Sequence, residues 1–386
     1  MTTVSDTYDV RRTESLSPEE SQRWSVLLAS RDFGALAIDW TEALRQSHVP
    51  SLEIEYLQLH RGNTPVALVI IHLLRAVDLG GYIGGGARRL FGLIGQWGWH
   101  PLCADIAFIE IPLANLSGIL LAPGEEEHAG SIARTVLATV RRELRYDILV
   151  LKASPQSPGE DAYAKLGLLH TEFIANMTVE LRGERNFDEY MMRLEQKRRT
   201  QSRAYRRDFV RVGGTIDCVE HLTDQHLDEI SRLYNSTVSL HEAQEDLHVP
   251  IPIGRPYFEA LSRMPVERRR ALIARVDGVA VGFAWLVDSG DAMIFSHCGL
   301  DHAKAVPSRA YFNLYYSMFD YALAKGYSRL ELGAQAYVVK RKLGGVVAAT
   351  CYHFEVTSPL LGAVARFVAK HFSSQEGATL AESRVT

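Results

Sequence analysis

From Ala310 to Val356 the chain reads AYFNLYYSMFDYALAKGYSRLELGAQAYVVKRKLGGVVAATCYHFEV, a helix, a strand and a lysine-bearing turn with no residues to spare between them. Pro307 and Ser308 supply a turn former and an N-cap, Phe312, Tyr315, Tyr316, Phe319 and Leu323 recur at helical spacing, and Gly326 stops the helix. A strand from Arg329 to Leu332 must begin at once. So short a connection belongs to an α/β unit with parallel strands, in which the helix N-terminus sits by the strand ends and its free N–H groups attract an anion such as a phosphate. Pro307, Ser308, Arg309 and Ala310 are therefore the expected donor-binding residues. Gln335 and Tyr337, on the loop past the strand, are expected to join them.

The chain's 386 residues exceed one comfortable hydrophobic core, which predicts two domains of about 150 to 200 residues each. A net charge of −4 gives no global field that would draw nucleic acid or an anionic membrane, so any anion site must be local. Cys103, Cys218, Cys298 and Cys351 lie far apart with no C-x-x-C pair, which predicts neither a zinc site nor a disulfide framework and fits a reducing cytoplasm. The longest apolar run, Val66 to Ile71 resuming at Leu73, falls short of the roughly 20 residues a membrane span needs.

Residues 1 to about 20 read as polar and loose, and Ser21 to Leu44 as one or two helices. Leu52 to Leu59 and Pro65 to Leu74 flank the turn signal Arg61-Gly62-Asn63 and form a hairpin; Ile106 to Ile111 and Gly118 to Leu121 are further strands. A helix (Gly130 to Arg145), a buried strand (Asp147 to Leu151) and a strand at Phe173 to Leu181 follow. The second half repeats the plan: a helix at Thr223 to Leu240, strands at Ala271 to Val276 and Val279 to Asp288 around Asp277-Gly278, a strand at Ala292 to Leu300, then the opening motif. Equal element order implies two copies of one α/β domain.

Between the halves, Arg193 to Arg211 holds eight basic and two acidic residues. On a helix Arg199, Arg203 and Arg206 share a face at i, i+4 and i+7, so they are the expected contacts for an anionic part of a substrate, unless that face is simply solvated. The run Gly80-Gly81-Tyr82-Ile83-Gly84-Gly85-Gly86 matches neither dinucleotide nor phosphate-loop spacing and reads as a loop, and Trp97, Trp99 and His100 read as anchors. His297, in IFSHCGL, falls by strand alternation on one face with Phe295 and Gly299; His353, in CYHFEV, is a second strand histidine placed with the substrate. Either suits a base of pKa near 7, with Glu331 and Glu355 as alternatives. Lys340, just past a strand end and before Gly344-Gly345, is placed to neutralise a developing oxyanion or hold a donor phosphate, unless the Lys340-Arg341-Lys342 run is simply solvated.

These residues resemble the GNAT superfamily and, more closely, its FemAB-like and BioF2-like acyltransferases. The motif likeness runs from about Cys298 to Val356 and rests on Gly326, Tyr327, Gly333, Tyr337, Lys340 and Gly344; Pro112 to Gly118 resembles the corresponding stretch of an N-terminal copy more faintly. The resemblance implies a mixed α/β fold with two tandem GNAT-like domains, residues 1–185 and 213–386, joined by a basic connector helix at 186–212. It implies transfer of an acyl or aminoacyl group to an amine. Val306-Pro307-Ser308-Arg309-Ala310 stands where acetyltransferases carry Arg/Gln-x-x-Gly-x-Gly/Ala, so the family's usual acetyl-CoA donor is not implied.

The reading that follows is direct attack in a cleft between domains, with His297 or a water taking the amine's proton and backbone N–H groups with Lys340 meeting the oxyanion. No metal is needed. Cys298 and Cys351 lie in apolar strands, where a thiol pKa rises, so no acyl-cysteine is expected. The donor is read as acyl-CoA or an acyl-carrier protein thioester, with two alternatives: an aminoacyl-tRNA donor serving a peptidoglycan precursor or small amine, and a non-catalytic binding protein of the same fold.

Overall fold

Two periodicities, alternation in the strands and i, i+3, i+4 spacing in the helices, build two units. The computed structural model describes residues 8–30, 33–49, 52–79, 103–114, 116–153, 163–172, 176–243, 253–334, 336–348, 350–359, 361–363 and 366. The Gly80 to Gly86 run, Trp97, Trp99, His100 and Gln335 lie outside them. One unit takes Met1–Thr41, Pro50–Ala175 and Ala348–Thr386; the other takes Glu42–Val49 and Asn176–Val347.

In the first unit β1 (Asp9–Thr13), β2 (Leu52–Arg61), β3 (Thr64–Asp78), β4 (Cys103–Ile111) and β7 (Ile148–Ala153) lie side by side in that order, followed by β16 (Cys351–Val356) and β8 (Leu169–Glu172). Two short strands branch off, β5 (Leu116–Ser117) from β4 and β6 (Ile119–Leu121) from β3. Only the β4–β7 pair is parallel among the described pairings. Helices α1 (Pro18–Leu27) and α2 (Gly34–Gln46) precede β2; α1 is capped by the Ser17 and Glu20 capping box that its S-x-x-E spelling encodes. Helix α3 (Ala129–Glu143) buries Ile132, Ala133, Val136, Leu137 and Val140 against Ala107, Ile109, Leu149 and Leu151 on one sheet face. Each of the valine, leucine and isoleucine side chains among them contributes about 1.5–3 kcal/mol of hydrophobic stabilisation.

The second unit's sheet has the order β10 (Gly214–Val219), β11 (Arg269–Val276), β12 (Val279–Asp288), β13 (Ala292–Leu300), β14 (Arg329–Gly333), β9 (Asn176–Glu180), β15 (Val346–Ala348). Among its described pairings, β13–β14 is the parallel one. Its helices are α4 (Phe187–Met191), α5 (Gln196–Arg211), α6 (Asp224–Ala243), α7 (Arg255–Ser262), α8 (His302–Ser308), α9 (Ala310–Lys325) and α10 (Tyr337–Lys342).

Three features depart from the sequence reading. Residues 9–13 form an edge strand registered on β2, Asp9 opposite His60, rather than a loose tail. The units do not follow chain order, since β16 from the C-terminal part pairs β7 from Cys351 with Ala153 to Val356 with Ile148. And β9, short of residue 185, pairs β14. Backbone pairing, not sequence proximity, therefore sets the two units, and the basic helix α5 belongs wholly to the second.

Candidate functional site

β13 and β14 run parallel for three registered pairs, Ala292 with Arg329, Met293 with Leu330 and Ile294 with Glu331, and no further pair follows. Both strands cause the parting. On β13, Leu286 faces Phe295 and Trp285 faces His297, so Ser296 is an extra residue, a bulge. On β14, Gly333 has a φ of +78°, a left-handed turn only glycine adopts without strain. A Cβ at Gly333 would lie 3.3 Å from the Phe295 carbonyl oxygen and 3.7 Å from Lys340 Nζ, which places the lysine head beside this turn.

Lys340 is carried there by α10, one turn after Tyr337; the two side chains point inward together and each is 3 % exposed. Nζ donates to the Ala334 carbonyl. Burial pushes the Lys340 ammonium down to about 7, with the nearby Cys298 sulfur opposing the shift. A buried amine poised near neutrality can take a proton and, once charged, stabilise an anion. Burial pushes the Cys298 thiol up to about 11, as its apolar strand predicted.

The bulge also turns His297 away from Phe295. Phe295 stacks on Tyr315 of α9 at 4.4 Å, whereas His297 Nε2 lies 3.1 Å from the Tyr257 hydroxyl of α7. The expected shared face is thus lost, because alternation breaks at the extra residue. Hydrogen direction follows from the partners. Ser296 donates to the Trp285 carbonyl at 3.0 Å, so its oxygen accepts from His297 Nδ1 at 3.2 Å, and Nε2 accepts from Tyr257. Burial holds His297 down to about 3, so the ring is neutral and a weak base.

The start of α9 also differs from the sequence reading. Pro307 lies inside α8, and the Ser308 hydroxyl turns inward to the Lys304 carbonyl at 2.7 Å instead of capping α9. Arg309 takes the cap position with φ 66° and ψ 21°, a left-handed conformation, and its guanidinium stacks over Tyr205 at 4.9 Å. Asn313 fixes the turn by donating to the Arg309 carbonyl at 2.9 Å. Ala310 opens α9 and is buried. Arg309 and the first-turn amides are thus what this end offers an anion.

The basic stripe divides. Arg206 pairs with Asp320 at 2.7 Å and lies over Phe187, Arg199 donates to the Leu194 carbonyl, and Arg203 is exposed. A hollow of about 550 Å³ beside α5 is lined by Gln196, Lys197, Thr200, Gln201 and Ala204, a different face of that helix. His353 is buried in the first unit's sheet, its ring 5.1 Å from that of His170, so the two strand histidines belong to different units. Glu331 accepts from Asn176 at 3.0 Å, and Glu355 is held by Arg141 and Tyr146. The Ser296 bulge and the Tyr257 partner of His297 carry no sequence signature. Nor does the left-handed backbone of Arg309, a conformation in which glycine alone is unstrained.

A family model described as FemAB-like, peptidoglycan biosynthesis or recognition, matches residues 110–383. No curated protein sequence matches. Among solved structures, FemX superposes with a TM-score of 0.57 at 11 % identity, covering 88 % of this chain and 96 % of that one. The C-terminal domain of a putative lysylphosphatidylglycerol synthetase from Agrobacterium fabrum gives a TM-score of 0.55 at 12 % identity, covering 91 % and 95 %. A tandem GNAT protein from the clavulanic acid biosynthesis pathway gives 0.51 at 13 % identity, covering 92 % and 99 %. At such identities the superpositions establish the shared fold: two mixed sheets in the tandem GNAT manner.

Proposed function

The chain belongs to the FemAB-like family, and on that footing we propose that it moves an acyl or aminoacyl group from an activated ester or thioester to an amine, with Lys340 as the central group. The observation that carries the reading is a buried lysine, poised near neutral pH, where two parallel strands part. The amine nitrogen attacks the carbonyl carbon while neutral Lys340 takes one of its protons. The tetrahedral oxyanion is met by the new ammonium and by N–H groups freed at the Ser296 bulge. Collapse breaks the bond to the leaving oxygen or sulfur, which recovers the proton from Lys340. His297, neutral and engaged at both ring nitrogens, shapes the bulge rather than serving as the base.

Two donors fit this chemistry. An acyl-CoA or acyl-carrier thioester is the reading from sequence. The aminoacyl-tRNA reading is favoured by Arg309, a bulky residue where a pyrophosphate cradle needs small ones, and by the family membership. The acceptor is a small amine or a peptidoglycan precursor amine. A cytoplasmic setting is part of the proposal; no helix among the described residues is long and apolar enough to cross a membrane. Mass spectrometry of products after incubation with an acyl-CoA panel and with charged tRNA, each with and without ribonuclease, decides the donor. Transfer that survives ribonuclease selects the thioester, transfer abolished by it selects tRNA, and full activity in Lys340→Met refutes the site.

A further inference from the structure

We infer that the first unit carries a site of its own for a ligand bearing a primary ammonium, built between His72 and Glu110. The inference concerns that unit alone and does not depend on the transfer chemistry above.

In the first sheet β4 and β7 stay in parallel register as far as Ile109 with Leu151. One residue later they part: Glu110 pairs with Ser117 of β5, and Lys152 pairs with Tyr352 of β16. Gly118 permits this, because a Cβ there would fall 2.4 Å from the Ile70 carbonyl oxygen and 2.6 Å from the Glu110 nitrogen. Alternation puts Phe108, Glu110 and Lys152 on the face opposite α3, with His72 beside Phe108 in register. Ligands of open α/β sheets collect where parallel strand ends separate.

The polar groups there are mismatched. His72 is 1 % exposed and stacks on Phe108 at 4.7 Å and 7°, which fixes its plane. Its Nδ1 lies 3.4 Å from the Glu110 carbonyl oxygen, an acceptor only, so Nδ1 carries the hydrogen. Burial, with the Lys152 charge adding, keeps the ring neutral. Nε2 is then an acceptor, and it faces another acceptor, Glu110 Oε1, across 3.8 Å. That gap is too long for a hydrogen bond, and among the described residues no donor bridges it. Lys152 does not fill it. Its Nζ stands 3.8 Å from the other carboxylate oxygen and over the Tyr352 ring at 5.0 Å, and it is 2 % exposed against 16 % for Glu110. An incoming group therefore meets the carboxylate first, backed by the half-buried Phe108 and Val150. A primary ammonium has the several N–H donors needed to bond Nε2 and Oε1 together, and its charge would help Lys152 keep ionised a carboxylate whose pKa burial raises.

The full-length protein should be titrated with n-butylammonium, n-butanol and butyrate, with binding read from the His72 ring ¹⁵N resonances. Butylammonium should saturate and move Nε2, while butanol and butyrate should not. Glu110→Gln should weaken butylammonium at least about tenfold, the loss of one charge-assisted bond. His72→Phe, which keeps a flat ring on Phe108, should weaken it when read by calorimetry, and serves if the first variant does not fold. Preference for butyrate, no saturable response in the wild-type protein, or unchanged affinity in a folded Glu110→Gln would each overturn the assignment.

Discussion

Lys340 gives a pH signature that separates chemistry from stability. A lysine loses its proton near 10.4 in an unfolded chain and near 7 here, so between those values the folded state binds fewer protons. Its penalty is then full below pH 7 and fades as pH rises toward 10. Replacing it with methionine should raise the melting temperature at pH 7 and remove part of the upward slope from pH 7 to 10, measured as the difference between variant and wild-type thermal unfolding curves. The substitution should move activity the other way. Turnover should climb as pH rises through about 7, when the amine becomes neutral, and Lys340→Met should lose that limb with a drop of at least about a hundredfold in kcat. The place of Lys340 just past a strand end was legible in the sequence; its burial and Gly333 neighbour were not, since both depend on where the strand has parted.

Helices and strands make the site through their irregularities. The helix at 310–325, the strand at 329–333 and both hairpins stand where periodicity and the Gly62 and Asp277-Gly278 turns put them. What periodicity cannot express is one extra residue in a strand, and Ser296 is such a residue. Nor can it express close crossing: a Cβ on Gly299 would lie 2.5 Å from the Tyr234 nitrogen and 2.6 Å from the Leu233 carbonyl carbon, backbone atoms of α6 that cannot give way cheaply. Gly299→Ala should therefore destabilise by about 2–3 kcal/mol in urea unfolding, against less than about 1 kcal/mol for the control Val279→Thr on the exposed end of β12. At the start of α9, Arg309 bears left-handed strain of roughly 1–2 kcal/mol. Arg309→Gly should be more stable than Arg309→Ala by about 1 kcal/mol, while both weaken donor binding, read by equilibrium titration with whichever donor the ribonuclease experiment selects.

Over the whole molecule, the exchange of strands ties folding to chain order. β7 in the first sheet finds β16 on its outer edge, and β16 begins only at Cys351, nearly two hundred residues after β7 ends. The second sheet needs β9, made before any of its other strands. Until residue 356 is available, β7 presents an unpaired edge with Leu149, Leu151 and Ala153 behind it, the kind of edge that invites misassociation. The sequence reading missed this because apolar alternation in CYHFEV marks a strand without naming its partner. A chain ending at Val347 should accordingly lose amide protection across β7 and β8 in hydrogen exchange, while β11 and β12, bonded to each other and to β10 and β13, keep theirs. Equal loss in both sheets would mean that the units fold as one cooperative block; retained protection in β7 would mean that the first sheet closes without its late strand.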